Sequence, residues 1–340
     1  KQVLKEGPLT GKELHIETKL CMFDLWKLCN LSEDITVKFV GTRYLRFDEK
    51  IYGEVRLTPS LLRGFYTYTV IGLRDDSRII EEKALELKKK IEKISQDKKN
   101  VAVRAIEDLL NRNLEDIKND LEENVAFIIA GDIAYNMADD EVREEKTRGE
   151  LVVGSDIDII AILDKKAEVY RTRLENELLK ISYRIFNVYR EVIDFTSKSL
   201  KEIELHCRLK SLKNKIIIKE IAEGILLAGN KEAFHKAIDI LEKQGALNAL
   251  GDYSNKAFAW DEATSKYLLK AKSLTVEELD RLFRGTFEDF PELSKKEIDR
   301  YARSDDLSQY AGAYSITNSR QDFVTKIEGS LTNVIGLPLE

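Results

Sequence analysis

The sequence predicts an α/β protein in which a small mixed sheet is flanked by helices, preceded by a β-containing module and followed by a helical domain. Three observations carry this. Short β-branched runs at 125–130, 154–163 and 191–195 alternate with longer stretches of helical spacing. Residues 1–78 hold β-type signals, and the sequence beyond residue 199 reads almost wholly as helix. The expected divisions are therefore a β-rich module over 1–78, a central α/β core over 79–205 and a helical domain over 206–340.

The N-terminal strands are expected at Ile35 to Val40, at Tyr44 to Leu57 with turn residues Asp48, Glu49 and Gly53, and along the aromatic and Thr alternation Phe65 to Ile71. From about 79 to 123 the spacing turns helical. A Lys-rich stretch at 81–99 comes first, and then Val103, Ile106, Leu110, Leu114, Ile117 and Leu121 recur at intervals of three or four. Lys88 to Lys90 read as a solvated helix face, because Glu residues are interleaved with them. Val125 to Ala130 is an apolar run suited to a buried strand, and Gly131-Asp132 follows where a short helix, Ile133 to Ala138, is expected to begin. A polar loop from Asp139 to Glu150 leads to the next strand. Tyr170 to Tyr189 is an amphipathic helix with Leu174, Leu178, Ile181, Ile185 and Val188 on one face, and Glu191 to Phe195 is another short strand. Helices are expected at Lys215 to Leu227 and Lys231 to Lys243, and the last 65 or so residues carry turn signals at Gly285, Pro291 and Gly312.

The stretch Gly154-Ser155-Asp156-Ile157-Asp158-Ile159 is the most informative in the chain. Residues i and i+2 of a strand project from one face, so Asp156 and Asp158 can converge on a cation while Ile157 and Ile159 pack on the other side. Side-by-side buried carboxylates are costly without a counter-charge, and a hard cation such as Mg²⁺ meets that cost. Asp194 lies between apolar residues of the next strand and adds a third acid. Gly131 at a strand-to-helix turn allows a close backbone approach to a ligand, and the N–H groups of the helix start attract phosphate. Asp132 is expected to be the N-cap of that helix. Ser155 reads equally well as a turn residue and as a group near phosphate or metal. Lys198 and Lys201 follow the third acidic strand closely enough to reach a triphosphate, against a solvated-face reading for the cations of that region.

Composition narrows the classes. In 340 residues, 55 Lys and Arg stand against 61 Asp and Glu, a net charge of −6, which argues against a general polyanion binder. Cys21, Cys29 and Cys207 lack metal-ligand spacing, and with three His residues and no HExxH the usual zinc-hydrolase readings fall away. No apolar run is long enough to span a bilayer, so a cytoplasmic setting with no membrane partner is expected.

In the order Gly131-Asp132-Ile133-Ala134-Tyr135-Asn136, then Ser155-Asp156-Ile157-Asp158-Ile159, then Ile193-Asp194-Phe195, the chain resembles the DNA polymerase β-like nucleotidyltransferase superfamily over about residues 101–205. The resemblance implies a nucleotidyltransferase core in which Asp156, Asp158 and Asp194 hold two Mg²⁺ ions, with Mn²⁺ as a substitute. Gly131, Asp132, Gly154 and Ser155 would seat the triphosphate, with Lys198 and Lys201 beside it. The implied reaction moves a nucleoside monophosphate from an NTP to a hydroxyl acceptor, RNA or protein foremost, and releases pyrophosphate. By analogy with relatives, a toxin–antitoxin or antiviral-defence setting follows, with the helical C-terminal domain open to a protein partner. Asp132 stands where that family has Ser, which leaves a second reading: an inactive nucleotide sensor or partner-binding module.

Overall fold

The computed structural model describes residues 1–42, 44–47, 55–58, 61–145 and 150–270. The N-terminal part opens with β1 (Leu9–Thr10) and α1 (Gly11–Thr18), and Thr10 starts that helix with a capping box shared with Glu13. Then come α2 (Met22–Leu31), β2 (Ile35–Phe39), the antiparallel ribbon β3 (Tyr44–Phe47) and β4 (Val55–Thr58), α3 (Leu61–Tyr68) and β5 (Thr69–Leu73). Strands β1, β5 and β2 form a three-stranded antiparallel sheet.

One expectation is corrected in this region. The run Phe65 to Ile71 does not form one strand: Leu61–Tyr68 is helical and the strand begins at Thr69. Gly64, Phe65 and Tyr68 bury one side of α3, and the Thr69 hydroxyl donates to the Phe65 carbonyl, so the aromatic spacing serves a helix face before the chain extends. The helical stretch at 81–99 is part of one long helix, α4 (Ser77–Asp108), which buries Ile80, Ala84, Ile91, Ser95, Ala102, Ala105 and Ile106 along a single stripe. The turn expected at Asp48 to Gly53 lies outside the described residues.

The central sheet is built from β6 (Val125–Ile129), β9 (Ile157–Leu163), β10 (Ile193–Ser199) and β11 (Ile225–Gly229). Its order is β10-β9-β6-β11, with β10 parallel to β9 and the other neighbours antiparallel. The elements between are α5 (Lys118–Asn124), α6 (Gly131–Ala134), the ribbon β7 (Val142–Glu145) and β8 (Glu150–Val153), α7 (Arg171–Tyr189), α8 (Leu200–His206) and α9 (Leu212–Glu223). After β11 come α10 (Lys231–Lys243) and α11 (Ala246–Lys270).

Strand parity divides the core. Phe127, Ile129, Ile157, Ile159 and Ala161 pack with α4 and α7, whereas Ala126, Ile128, Ile160 and Ile162 pack with Ile203, Ile217, Ile218, Ile221 and Leu241. Asp156 and Asp158 share the parity of Ile160 and Ile162, so they belong to the face covered by α8, α9 and α10. The helix expected over Lys215 to Leu227 is cut short. It stops at Glu223, Gly224 follows, and Ile225–Gly229 pairs with β6 as the edge of the central sheet. The edge of β6 needs hydrogen-bond partners, and that demand outweighs the helical spacing of Ile225 to Leu227. The polar segment from Asp139 to Glu150, expected as a loop, contains β7 and the first residue of β8, which pair as an antiparallel ribbon. The three cysteines are free thiols, Cys21 exposed, Cys29 and Cys207 buried. Among the described residues no helix is long and apolar enough to cross a membrane.

Candidate active site

Asp158 lies directly across from Asp194 in the parallel β9–β10 pair, and Asp156, just before the first residue of β9, is close enough for its charge to act on Asp158. The turn after β6 closes on this pair. Gly131 has φ +67°, and a Cβ placed there would lie 2.3 Å from Asp158 Oδ2. The Ala130 N–H donates to the Asp158 carbonyl at 3.0 Å, which fixes the turn to the strand. Gly131→Ala combines a left-handed backbone with that contact, worth about 1 kcal/mol before the clash is counted. The expected outcome is a displaced Asp158 carboxylate, a lower unfolding midpoint and loss of most activity; wild-type turnover in the alanine variant would contradict this placement.

Asp132 is not the N-cap. Ala130 occupies that position and no side chain caps the helix; instead the Asp132 carboxylate accepts from Ser155 Oγ at 3.0 Å. The one-turn helix leaves its first residues facing the start of β9, so Asp132 finds a hydroxyl donor there in place of its own backbone. Burial pushes the Asp132 carboxyl up, as do Asp139 and Asp156, while Arg63 and the Ser155 hydroxyl oppose the shift. Asp158 goes further: burial first, then Glu220, Asp194, Asp156 and Asp132, raise its carboxyl well above the aspartate range.

Glu220, on α9, faces the same cleft. Burial raises its carboxyl to about 7, Lys198 and Lys219 oppose the rise, and Asp194 adds to it. Lys198, on β10, donates to Thr196 Oγ1 and to the Ser197 carbonyl, each at 2.8 Å. Its ammonium pKa is lowered by burial, with Lys213 and Arg171 acting in the same sense and Glu202 and Glu175 against it. Lys219 is buried, pairs with Glu223 and stands 5.5 Å from the centre of the Tyr135 ring. Lys201 is exposed on α8.

Gly131, Asp132, Ser155, Asp156, Asp158 and Asp194 thus come together, with Gly154 at the root of β9 and Lys198 farther along β10. Lys201 stays on the solvent side. Sequence reasoning missed Glu220, Lys219 and Arg63. A signal for the first two was present: Lys219-Glu220 interrupts the otherwise apolar Ile216-Ile217-Ile218 and Ile221. Arg63, in an aromatic N-terminal run, gave none.

Clustered carboxylate oxygens around a partly buried aspartate are the donor chemistry of a hard divalent cation. Among the described residues, however, no group of three or more His, Cys, Asp or Glu side chains is already gathered in metal-holding geometry. The acidic cluster matches a cation in charge and donor type alone.

The sequence profile of the Maf-like protein family matches residues 177–340. The dTTP/UTP pyrophosphatase of Carboxydothermus hydrogenoformans is 27% identical over 169 residues, 48% of this chain and 87% of that protein. The dTTP/UTP pyrophosphatase of Treponema denticola is 46% identical over 50 residues, 15% of this chain, and that of Agrobacterium fabrum is 50% identical over 50 residues, 15% of this chain and 24% of that protein. The chain covers a quarter of the Treponema protein, 25% of its length. No solved structure matches.

These matches overturn the resemblance to polymerase β-like nucleotidyltransferases, and with it the transfer of a nucleotide to a hydroxyl acceptor. The physical reason lies in the motif itself. A glycine turn beside an Asp-x-Asp strand encodes a place for a cation and phosphate oxygens; it does not encode whether a hydroxyl or water attacks phosphorus. Asp194, Lys198, Lys201 and Glu220 fall inside the matched span, whereas Gly131, Asp132, Gly154, Ser155, Asp156 and Asp158 precede it.

Proposed function

We propose that the chain is a divalent-cation-dependent nucleoside triphosphate pyrophosphatase that hydrolyses dTTP or UTP to the nucleoside monophosphate and pyrophosphate. The match to Maf-like proteins over 177–340, with its dTTP/UTP pyrophosphatase relatives, carries this reading. The acidic cleft at the end of β9 and β10 supports it from the side of chemistry. Water replaces the RNA or protein acceptor that a transferase would need.

In this reading Asp156, Asp158 and Asp194 would hold the cation, which would offset negative charge on the triphosphate. Gly131 lets the backbone approach the phosphates, with Asp132, Gly154 and Ser155 shaping the wall beside them. Lys198 neutralises a terminal phosphate and Lys201 adds a weaker, solvent-screened attraction. Glu220 takes the proton of the attacking water, since a carboxyl near 7 is half ionised at neutral pH and matched to that task. The water oxygen bonds to the α-phosphorus, the bond from that phosphorus to the α,β-bridging oxygen breaks, and pyrophosphate leaves with the electron pair.

Glu220→Gln separates stability from catalysis. The folded carboxyl sits at about 7 against an ordinary 4.5, so the native state holds its proton more tightly than the unfolded chain does. Stability is therefore unaffected below the ordinary value, falls as pH rises between the two, and carries the full cost above about 7, on the order of 3 kcal/mol. In EDTA the Gln variant should unfold at higher temperature than wild type at pH 8 and at the same temperature at pH 4. Its turnover should drop about 100-fold, and the acidic limb of the rate profile near neutrality should vanish. A wild-type pH profile in this variant would remove Glu220 from the reaction.

The reading is tested by incubating the full chain with each of dTTP, UTP, CTP, ATP and GTP plus Mg²⁺ or Mn²⁺, with no acceptor, and separating the products. Monophosphate and pyrophosphate in equal amounts, with dTTP and UTP preferred, is the expected result. Absence of monophosphate from every nucleotide would reject it.

A further inference from the structure

A chain of polar contacts connects the N-terminal part of the protein to the acidic cleft. Arg63, on α3, donates to the carboxylate of Asp139, which is 3% exposed. The other oxygen of this carboxylate accepts from the Glu141 N–H at 3.1 Å, while the hydroxyl oxygens of Tyr68 and Ser155 lie 3.3 and 3.4 Å from the first, each giving its one hydrogen in a shorter bond elsewhere, Tyr68 to the Met137 carbonyl at 2.6 Å and Ser155 to Asp132. The Asp139 N–H donates to Ser155 Oγ at 3.2 Å, and the Ser155 N–H donates to the Asp139 carbonyl at 3.3 Å. Ser155 then hands its hydroxyl hydrogen to Asp132 at 3.0 Å.

The arrangement solves an electrostatic problem. Asp132 and Asp139 share one serine hydroxyl, and Asp156 and Asp158 follow directly on β9, so four carboxylates crowd one strand root. Arg63 is charged toward both Asp139 and Asp132 and offsets this crowding from the far side of Ser155. Arg63 on one oxygen and the Glu141 N–H on the other orient the buried carboxylate, and the Asp139 N–H holds the Ser155 oxygen whose hydrogen goes to Asp132. Ser155 in turn sets the origin of β9, from which Asp156 and Asp158 project.

We propose that Arg63 is a positioning residue for the acidic cleft: acting through Asp139 and Ser155, it holds Asp132 and the root of β9 so that the aspartates meet a divalent cation in register. This rests on reading the cleft as the reaction site. Outer contacts of this kind are worth about 10- to 100-fold in metal affinity.

The test is calorimetric titration of the full chain with Mn²⁺ in the absence of nucleotide, for wild type, Arg63→Met, Arg63→Lys and Ser155→Ala, alongside unfolding midpoints and kcat and KM for UTP. Arg63→Met should weaken Mn²⁺ about tenfold or more. Ser155→Ala, which leaves the Arg63–Asp139 pair intact, should weaken it in the same direction, and Arg63→Lys should recover part of the loss by restoring the charge. In the hydrolysis assay the loss should fall on kcat, with KM for UTP within about threefold of wild type. Lower unfolding midpoints with unchanged Mn²⁺ affinity in both Arg63→Met and Ser155→Ala would show a purely structural role and overturn the proposal, as would a wild-type chain that binds no Mn²⁺. If Arg63→Met does not fold, Ser155→Ala decides alone. A wild type that binds Mn²⁺ with this ordering among variants yet hydrolyses no nucleotide would uphold the positioning role and reject the pyrophosphatase reading.

Discussion

Asp158→Asn is expected to abolish the proposed nucleotide hydrolysis, by about 1,000-fold or more, while making the cation-free protein more stable. Both halves follow from one environment. Asp158 faces Asp194 across the parallel strand pair and is pressed by Glu220, Asp156 and Asp132, so its charged form is costly and its carboxyl is held well above the aspartate range. The same density of negative charge is what a cation would answer. Because the folded carboxyl is raised, the native state gains nothing at low pH and loses stability as pH climbs through the ordinary aspartate range toward the folded value. Asn keeps the shape and removes the charge, so the midpoint in EDTA should rise by roughly 2 °C or more at pH 8, and the gain should vanish below the aspartate range. An Asn variant that hydrolyses nucleotide normally, or that melts lower than wild type at pH 8 in EDTA, would show that the carboxylate has another purpose.

Gly154→Ala is expected to be the most destabilising single change in the cleft. Gly154 has φ +64°, and a Cβ there would lie 1.8 Å from the carbonyl oxygen of Asp139 and 2.6 Å from its carbonyl carbon. Unlike the contact at Gly131, which a carboxylate can evade by rotating, this one is with backbone. The backbone is also pinned, since the Gly154 N–H donates to the Glu141 carbonyl at 2.8 Å and the Ser155 N–H to the Asp139 carbonyl. Relief requires opening the turn at the root of β9, with loss of these bonds and of the ion pair between the exposed Arg63 and the buried Asp139. The cost is about 3–5 kcal/mol, enough to shift the unfolding midpoint by roughly 10 °C. A midpoint within a degree or two of wild type would contradict the geometry of this turn.

How much of this was legible in the sequence differs from element to element. The β6 and β9 runs, the amphipathic helix Arg171–Tyr189 and the helix Lys231–Lys243 could be read because burial on both faces of a strand, or on one stripe of a helix, leaves a periodic trace. Phe65 to Ile71 misled because Leu61, Phe65 and Tyr68 are spaced for a helix while the Thr residues between them imitate strand alternation. Ile225–Gly229 misled because its conformation is decided by the open edge of β6, nearly a hundred residues earlier. Within the cleft, the Gly131 turn and the Asp156, Asp158 and Asp194 group were visible as local pattern and register. Arg63 and Glu220 were not, since each reaches the cleft from an element whose packing no local window reveals. The proposed nucleophile was illegible for a different reason: acids that would hold a cation are the same whether water or a hydroxyl attacks.

That last distinction is open to one direct measurement. Hydrolysis of UTP or dTTP in ¹⁸O-labelled water, with the products analysed by mass spectrometry, locates the bond that forms. Attack of water on the α-phosphorus places one labelled oxygen in the monophosphate and none in the pyrophosphate. Label in pyrophosphate, or pyrophosphate released without free monophosphate because the nucleotide passed to another hydroxyl, would contradict the account.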